Sequence, residues 1–590
     1  MNKYKELRDQ HKKSLRDFKI RYNNISAFRL IIAIGFGAAF YWYYKTEDPL
    51  LFLPLLLLPI AFLIAMKAHQ KVAWAIRFHK ALIQINKNEL TYLKNESIPF
   101  ENGLNFTDPT HPYSYDLDIF GEHSLYQNLN RTATYMGGEK LASLLQSSLP
   151  IEKITRHQEA VKELTSKVEW RQELEAIAQI KPDTKESWQK LIDWTKSSNP
   201  GIPVLLNIAS YISPVVVFIC IALYFLTPMS IFGNISLILI ILNLGLLATQ
   251  LRKIKRESIK SGEIDKILKQ YSLIIERIEN QTFDSEFLKH QQQQLAFEGR
   301  KVSQKIRELS TLFTRMDHID NAYAGPVFNG LFLFHIHVLR DLYQWKKVCG
   351  EQIGEWLAVI GEFESLNSLA NFSFNNPDYI FPNLNKNREI QFQELGHPLI
   401  SSEKRINNDV SFNPHPFFIL TGSNMSGKST FLRTLGVNMV LANIGSVVCA
   451  KQANVHPLPV LVSMRLSDSL SDSESYFFAE VKRLKEIMDT LETASCFVLL
   501  DEILRGTNSD DKRSGTIEVI KKMVERNVIG AIATHDLEVC NTTDEYPDAL
   551  SNKRFEVEII DDELVFDYKL RDGICQNKSA TFLMKKMGVI

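Results

Sequence analysis

Two long stretches without a charged residue constrain the fold of this 590-residue chain most. Residues 197–251 contain no Asp, Glu, Lys or Arg, and their apolar run is broken near residues 227–230 by Thr, Pro, Met and Ser. Residues 30–44 and 49–66 are also uncharged, and the polar turn 45–48 separates them. A helix needs about 20 apolar residues to cross a bilayer core. We therefore expect two helical hairpins, each of which crosses a membrane and returns.

Basic segments lie beside both hairpins. Residues 1–29 hold nine Lys or Arg against three acids, residues 67–80 hold four against none, and residues 252–260 hold five against one. Basic flanks remain in the cytoplasm, so we expect a multi-pass membrane protein with both termini cytoplasmic. The 29 residues before the first apolar stretch argue against a cleaved signal peptide. The alternative is that these stretches are buried core helices of a soluble protein.

The overall composition leaves the partner open. Lys plus Arg and Asp plus Glu both number 68, so net charge provides no long-range attraction to nucleic acid. Hydrophobic residues make up 45% and charged residues 23%, which excludes global disorder and a purely membranous bundle. The six cysteines are scattered, which favours a reducing compartment over a disulfide framework: Cys220, Cys349, Cys449, Cys496, Cys540 and Cys575.

A phosphate-binding motif identifies the second functional region. The apolar run 417–420, with the pattern of a strand, leads directly into a glycine-rich loop and the start of a helix. Loop amides and a helix N-terminus bind phosphate oxygens, so a nucleotide with a phosphate chain is the expected ligand. Lys428 would neutralise the β- and γ-phosphates, and the Ser429 hydroxyl would coordinate Mg²⁺. The predicted nucleotide-binding residues are Gly422, Ser423, Asn424, Met425, Ser426, Gly427, Lys428, Ser429 and Thr430.

Two further apolar runs end in polar residues suited to hydrolysis. Residues 497–500 lead into Asp501 and Glu502, and residues 528–534 lead into His535. Asp501 would hold Mg²⁺, and Glu502 would polarise the attacking water. A strand-terminal histidine in this order would face the γ-phosphate. The alternatives are a solvated acidic pair and a structural histidine.

The rest of the chain divides into two regions with different hydrophobic patterns. Apolar residues at three- and four-residue spacing predict helices before residue 377, and alternating strand and helix patterns follow residue 386. The expected fold is an α/β nucleotide-binding domain at the C-terminus, preceded by an all-α region with two transmembrane hairpins. The predicted segments are 1–100 (basic segment and first hairpin), 101–196 (first part of a helical core), 197–251 (second hairpin), 252–385 (helical lever) and 386–590 (ATPase domain).

These motifs resemble the MutS family of DNA mismatch-repair ATPases, part of the wider ABC-type ATPase class. The most specific elements are Asn424 and Met425 inside the phosphate loop, residues 499–507, and residues 533–535. The similarity is strong over residues 386–590 and weaker over about 111–385, excluding the second hairpin. It implies a MutS-like helical core and lever, an ABC-type P-loop domain, and Mg²⁺-dependent ATP hydrolysis with Lys428, Glu502 and His535 as catalytic residues.

The resemblance also implies partners. Family members pair their ATPase domains, so we expect a homodimer in which Ser475 reaches the partner's nucleotide. The sequence departs from the family here, since Ser473 and Glu474 replace the usual Gly-Arg pair. Arg405 stands in place of the aromatic residue that packs on adenine, although a guanidinium can also stack on a base.

The first hundred residues contain no counterpart of the family's mismatch-reading domain. The leading hypothesis is therefore a membrane-tethered MutS-like ATPase that acts on DNA without direct mismatch sensing. A membrane-bound mechanical ATPase acting on a protein partner is an alternative. An ABC-type transporter is a second alternative; against it, the chain lacks a Leu-Ser-Gly-Gly-Gln stretch and has four predicted spans.

Overall fold

The computed structural model describes residues 1–199, 201–321, 323–465, 476–560 and 563–575. It opens with a long antiparallel hairpin of helices α1 (Asn2–Thr46) and α2 (Phe52–Leu93). The turn lies where the sequence predicts it, and the Asp48 carboxylate accepts the Leu50 N–H at 2.9 Å. Both arms are much longer than the apolar stretches. The basic segment before the first stretch is itself part of α1.

The helical core follows this hairpin. Its central helix, α14, is buried over nearly its whole length and packs against α4 and α5. The bounds are α3 (Leu125–Leu129), α4 (Tyr135–Leu145), α5 (Ile151–Ser166), α6 (Val168–Gln179), α7 (Lys185–Lys196), α8 (Val204–Leu226), α9 (Ile231–Glu279), α10 (Glu286–Gln293), α11 (Val302–Asp317), α12 (Ala324–Phe332), α13 (Phe334–Cys349) and α14 (Ile353–Asn375). A two-stranded hairpin, β1 (Ala296–Phe297) and β2 (Arg300–Lys301), turns at Gly299 with a φ of 72°.

Helices α8 and α9 form the second predicted hairpin. In the described part of the chain, four helical segments are long and apolar enough to cross a membrane: Asn2–Thr46, Pro49–Leu93, Val204–Leu226 and Ile231–Glu257. Their apolar side chains are largely exposed; Leu205 and Phe225, for example, are 83% and 80% exposed. Helix α9 continues without a break from the apolar segment into the core, where residues such as Ile274 and Ile275 are fully buried.

After α14 the chain forms an α/β domain, in agreement with the predicted change of texture. A six-stranded sheet has the order β12-β11-β6-β10-β9-β8, with only the β11–β12 pair antiparallel. A smaller sheet has the order β3-β7-β4-β5. The strands are β3 (Asn383–Leu384), β4 (Ile390–Leu395), β5 (Asn408–Ser411), β6 (Phe417–Thr421), β7 (Gln452–Val455), β8 (Val460–Ser463), β9 (Phe497–Asp501), β10 (Ile529–Ala533), β11 (Leu550–Ile560) and β12 (Glu563–Asp572). The helices are α15 (Lys428–Asn443), α16 (Tyr476–Thr493), α17 (Ser509–Glu525) and α18 (Thr542–Glu545).

The three central strands bring their carboxyl ends to one edge of the sheet. Ala533 of β10 pairs with Leu420 of β6 on one side and with Asp501 of β9 on the other. All three strands are fully buried, as expected for a parallel sheet covered on both faces. Polar residues that directly follow these strands must therefore meet at this edge.

Candidate nucleotide site

The predicted phosphate loop joins β6 to α15 and lies at this edge of the sheet. Gly427 precedes α15 with a φ of 101°, a conformation that favours glycine. A Cβ on Gly422 would lie 2.5 Å from Ser426 Oγ, so this position also requires a glycine. Asn424 and Met425 are exposed at the tip of the loop. The loop and the first turn of α15 together leave room for an anion next to a helix N-terminus.

Lys428 is buried, and its ammonium group points back into the loop. Its Nζ donates to the carbonyl oxygens of Gly422 at 2.8 Å and Ser423 at 3.2 Å. Burial lowers the pKa of Lys428, while the carboxylates of Glu502 and Asp501 oppose this shift. The side chain thus stands at the centre of the loop with its charge close to the predicted phosphate position.

Ser429 and Asp501 are held together as the predicted Mg²⁺ ligands require. The Ser429 hydroxyl donates to Asp501 Oδ2 at 2.6 Å. Asp501 Oδ1 is buried without a hydrogen-bond partner among the described residues. An oxygen-only pair with one unsatisfied carboxylate oxygen suits a hard divalent cation such as Mg²⁺.

Glu502 and His535 form the closest polar contact of the site. His535 Nε2 lies 2.5 Å from Glu502 Oε1, and this bond lowers the pKa of Glu502 to about 2. Lys428 Nζ lies 3.3 Å from the same nitrogen. Because one nitrogen cannot both donate to Glu502 and accept from Lys428, the shorter contact places the proton on Nε2. His535 therefore donates to an ionised Glu502 beside the lysine.

The loop borders a cavity of about 560 Å³. Arg405 lines the cavity, and its Nη1 donates to the Tyr379 hydroxyl at 2.8 Å while the guanidinium lies 5.4 Å from the Tyr379 ring centre. Tyr568 lines the opposite part, where its ring would be 3.0 Å from a Cβ on Gly427. The sequence did not indicate Tyr568, because it lies on a C-terminal strand far from every motif.

Glu480 of α16 is a second residue that sequence reasoning missed. Its carboxylate is 3% exposed and accepts the backbone N–H groups of Leu504 at 2.7 Å and Arg505 at 3.0 Å. Arg505 in turn donates to the carbonyl oxygens of Glu502 and Asp501. Glu480 therefore fixes the loop that follows Asp501 and Glu502. A buried acid on an otherwise amphipathic helix was the available signal.

Ser475, the predicted trans-acting residue, and Glu474 lie outside the described residues. The described flanks of this segment are anchored on both sides. Before it, the buried Asp116 carboxylate accepts the N–H groups of Met464 at 2.8 Å and Arg465 at 2.6 Å. After it comes α16, which carries Glu480. The described residues before this segment therefore contact the helical core, and those after it contact the loop that follows Glu502.

The comparison with known proteins matches this domain. Residues 418–589 fit the family model "MutS domain V". Over these residues, the chain is similar to the MutS family. It is 31% identical over 225 residues to the DNA mismatch repair protein MutS of Clostridium botulinum (strain Okra / Type B1), covering 36% of this chain and 24% of that protein. It is 30% identical over 213 residues to human MutS protein homolog 4, covering 34% of this chain and 22% of that protein.

The resemblance predicted from the motifs is therefore confirmed for the domain that carries them. The chain spans about a quarter of the length of the curated relatives it matches. The remaining helical segments and both hairpins fall outside the family-model match.

Proposed function

We propose that the chain is a membrane-tethered MutS-like ATPase that binds and hydrolyses ATP with Mg²⁺. The observation that carries this proposal is the meeting of five side chains at one sheet edge: Lys428, Ser429, Asp501, Glu502 and His535. Each lies at or just after the end of a strand, or in the P-loop motif. The match to MutS domain V supports the same function, since MutS domain V is a P-loop ATPase domain.

Each residue has a separate role that follows from its position in the site. Lys428 and the α15 N-terminus bind the phosphates, and Ser429 with Asp501 holds Mg²⁺, which would neutralise charge that develops on the phosphates. Glu502 orients the attacking water. Its direct bond to His535 must open or shift to admit that water, after which His535 is free to face the γ-phosphate. The ionised state of Glu502 fits a hydrogen-bond acceptor for water.

Two variants test the ATPase assignment. We expect Lys428→Ala to lose nucleotide binding and hydrolysis together, because it removes the charge that faces the bound phosphates. We expect Glu502→Gln to bind ATP but not turn it over, because it removes only the group that orients water. Lys386→Ala, at an exposed residue that does not line the nucleotide cavity, is the control. Normal hydrolysis by Glu502→Gln would refute the assignment of Glu502.

We further propose that two copies pair through their ATPase domains, with Ser475 acting across the interface. Family resemblance supports this proposal, and the described residues on either side of Ser475 are well packed: Met464 and Arg465 bind Asp116, and α16 begins at Tyr476. Sedimentation of Glu502→Gln with ATP and Mg²⁺ should give dimers, and Ser475→Ala should weaken them. A wild-type rate per chain that does not change on dilution, with monomers throughout, would contradict this pairing.

DNA is the proposed substrate, because the matched relatives are named as DNA mismatch repair proteins or MutS homologues. A second candidate is a protein partner at the membrane. It is favoured by the long hairpin α1–α2, which occupies the first hundred residues and packs on the core. Binding of the detergent-solubilised chain to branched, mismatched and plain duplex DNA at two salt concentrations separates the two. Salt-dependent binding would support DNA, and equal failure on all three would favour the protein partner.

The membrane tether rests on the four apolar helical segments and their exposed side chains. We propose that both hairpins cross the bilayer and that both termini and the ATPase domain lie in the cytoplasm. The basic flanks support this orientation.

A further inference from the structure

A short apolar helix outside the four candidate spans has an unusual surface. Helix α12 exposes Val327 (56%), Phe328 (50%) and Phe332 (41%). Residues 321–339 around it contain no Asp, Glu, Lys or Arg. At nine residues α12 is too short to cross a bilayer.

Helix α12 packs against the apolar helices α8 and α9 of the second hairpin. Asn243 Nδ2 of α9 donates to the Gly330 carbonyl at 2.7 Å, and the rings of Phe218 and Phe332 lie 5.2 Å apart. A Cβ on Gly330 would lie 2.9 Å from Ile240, so the two helices are in close contact. At 1.5 Å per residue, Asn243 is about 18 Å along α9 from its start at the outer turn. The end of α12 therefore lies well within the length of the second hairpin.

The turn after α12 is held by backbone and side-chain hydrogen bonds within the protein. Leu333, with a φ of 49°, donates its N–H to the Asn329 carbonyl at 2.9 Å. The Asn329 side chain accepts the His335 N–H at 3.0 Å and donates to the Gly325 carbonyl at 2.7 Å. Asn329 is fully buried. Backbone that turns at membrane depth is tolerated only when its hydrogen bonds are satisfied by protein, and this turn meets that condition.

The charged residues that flank α12 indicate from which side of the membrane it would enter the bilayer. Charged residues resume on α13 at Arg340, which contacts the Tyr211 hydroxyl near the inner end of α8 and also pairs with Asp341. Tyr323, just before α12, is 89% exposed. Tyrosine and arginine at this level fit the boundary between hydrocarbon and water.

We propose that α12 and the start of α13 form a re-entrant hairpin, which enters the cytoplasmic half of the bilayer beside α8 and α9. Its exposed apolar side chains contact lipid acyl chains. This inference rests on the proposed membrane tether. We assign lipid as the molecule that covers the apolar surface of α12. This surface is continuous with the exposed faces of α8 and α9, where Ile212 and Leu237 are each 57% exposed. The molecules that cover the exposed faces of α8 and α9 would therefore also contact α12.

Nitroxide labels on single added cysteines test the proposal in the full chain reconstituted into phospholipid nanodiscs. The positions are Phe328 or Val327 in α12, Leu237 as the span reference, and the exposed Glu308 of α11 as the aqueous reference. Each label is tested against oxygen, which concentrates in hydrocarbon, and a water-soluble nickel chelate. The six native cysteines are buried, and the signal of the unsubstituted chain is subtracted.

We expect the labels at Phe328 and Val327 to match Leu237, with collision rates several-fold higher for oxygen than for nickel, and Glu308 to show the reverse. Lipid exposure at Leu237 with water exposure at both α12 positions would overturn the re-entrant hairpin and leave the tether intact. Water exposure at Leu237 would overturn the tether itself. Shielding of both α12 labels from both reagents would identify a protein partner or second copy as the occupant, and would also overturn the proposal.

Discussion

The carboxylate of Glu89 and the guanidinium of Arg131 form an ion pair in which both side chains are buried, with 3% and 4% exposed. Glu89 belongs to α2, whereas Arg131 lies just before α4 in the helical core. The same carboxylate accepts the side-chain amides of Asn371 and Asn375 of α14, each at 2.9 Å. One acidic residue thus joins the first hairpin to the helix that leads into the ATPase domain.

We expect Glu89→Ala to destabilise this junction strongly. The substitution leaves Arg131 buried without its partner, which costs about 3–5 kcal/mol. Thermal unfolding in detergent should show a large drop in midpoint and early proteolysis between α2 and the core. The matched control is Glu152→Ala, which removes an exposed ion pair with Lys386 and should change stability by about 0–1 kcal/mol. Equal small effects of both substitutions would refute the junction role of Glu89.

Glu364 of α14 predicts a pH dependence of stability. It accepts hydrogen bonds from Ala133 and Thr134 at the start of α4, yet burial raises its pKa from 4.5 to about 7. The folded state therefore keeps a proton that the unfolded state releases. The stabilising contribution is full below about pH 4.5 and is lost as pH rises toward 7.

Glu364→Gln removes this titration. The unfolding midpoint of the variant relative to the wild-type chain should rise between pH 4.5 and 7 and then level off. Glu308→Gln, at an exposed residue, should show a constant difference over the same range. A constant difference for Glu364→Gln would mean that Glu364 is ionised in the folded chain.

Glu480 is predicted to position the catalytic loop rather than to touch nucleotide. Glu480→Gln keeps the size of the side chain but weakens its hold on the N–H groups of Leu504 and Arg505. We expect ATP hydrolysis to fall about tenfold, equivalent to about 1.4 kcal/mol in the barrier, with little change in ATP affinity. Glu486→Gln on the same helix, half exposed, is the control. A loss of affinity equal to the loss of rate would contradict a positioning role.

The proposed topology predicts which added cysteines react from outside intact cells. A cysteine at Thr46 or Met229, both in the turns of the hairpins, should be labelled by a membrane-impermeant maleimide. A cysteine at Lys3 or Lys386 should be protected until the cells are opened. Outside labelling at Lys386, or recovery of the full chain in the soluble fraction without detergent, would overturn the tether.

The sequence was most informative where a short local pattern is compatible with few structures. The turn at residues 45–48 was predicted from polar residues between two uncharged stretches, and the loop 421–430 was predicted from its glycine spacing. Both lie where expected. The apolar run ending at His535 was predicted as a strand throughout, but β10 ends at Ala533 and His535 follows it. Tertiary contacts explain what was missed. The segment before the first apolar stretch is helical because Tyr4 and Leu7 are buried against the core.

Other features could not be deduced from local patterns. Glu480 and Tyr568 reach the site only through long-range packing, and their sequence neighbours carry no motif. Helix α12 is too short for a membrane signal, and Pro326 would have suggested a loop. Site residues themselves were predicted from motifs, but the bond between Ser429 and Asp501 depends on strand order, which no local pattern specifies.

Helix α9 runs unbroken for 49 residues from the second hairpin into the core. At 1.5 Å per residue this is a rod of about 73 Å. A tilt of about 5° at one end of such a rod displaces the other end by about 6 Å, roughly one helical turn. Small angular changes imposed by bilayer thickness or tension would thus arrive at the core as displacements large enough to change side-chain packing. In the proposed membrane arrangement, α9 would convert a change in bilayer geometry into a translation at the core, and the reverse.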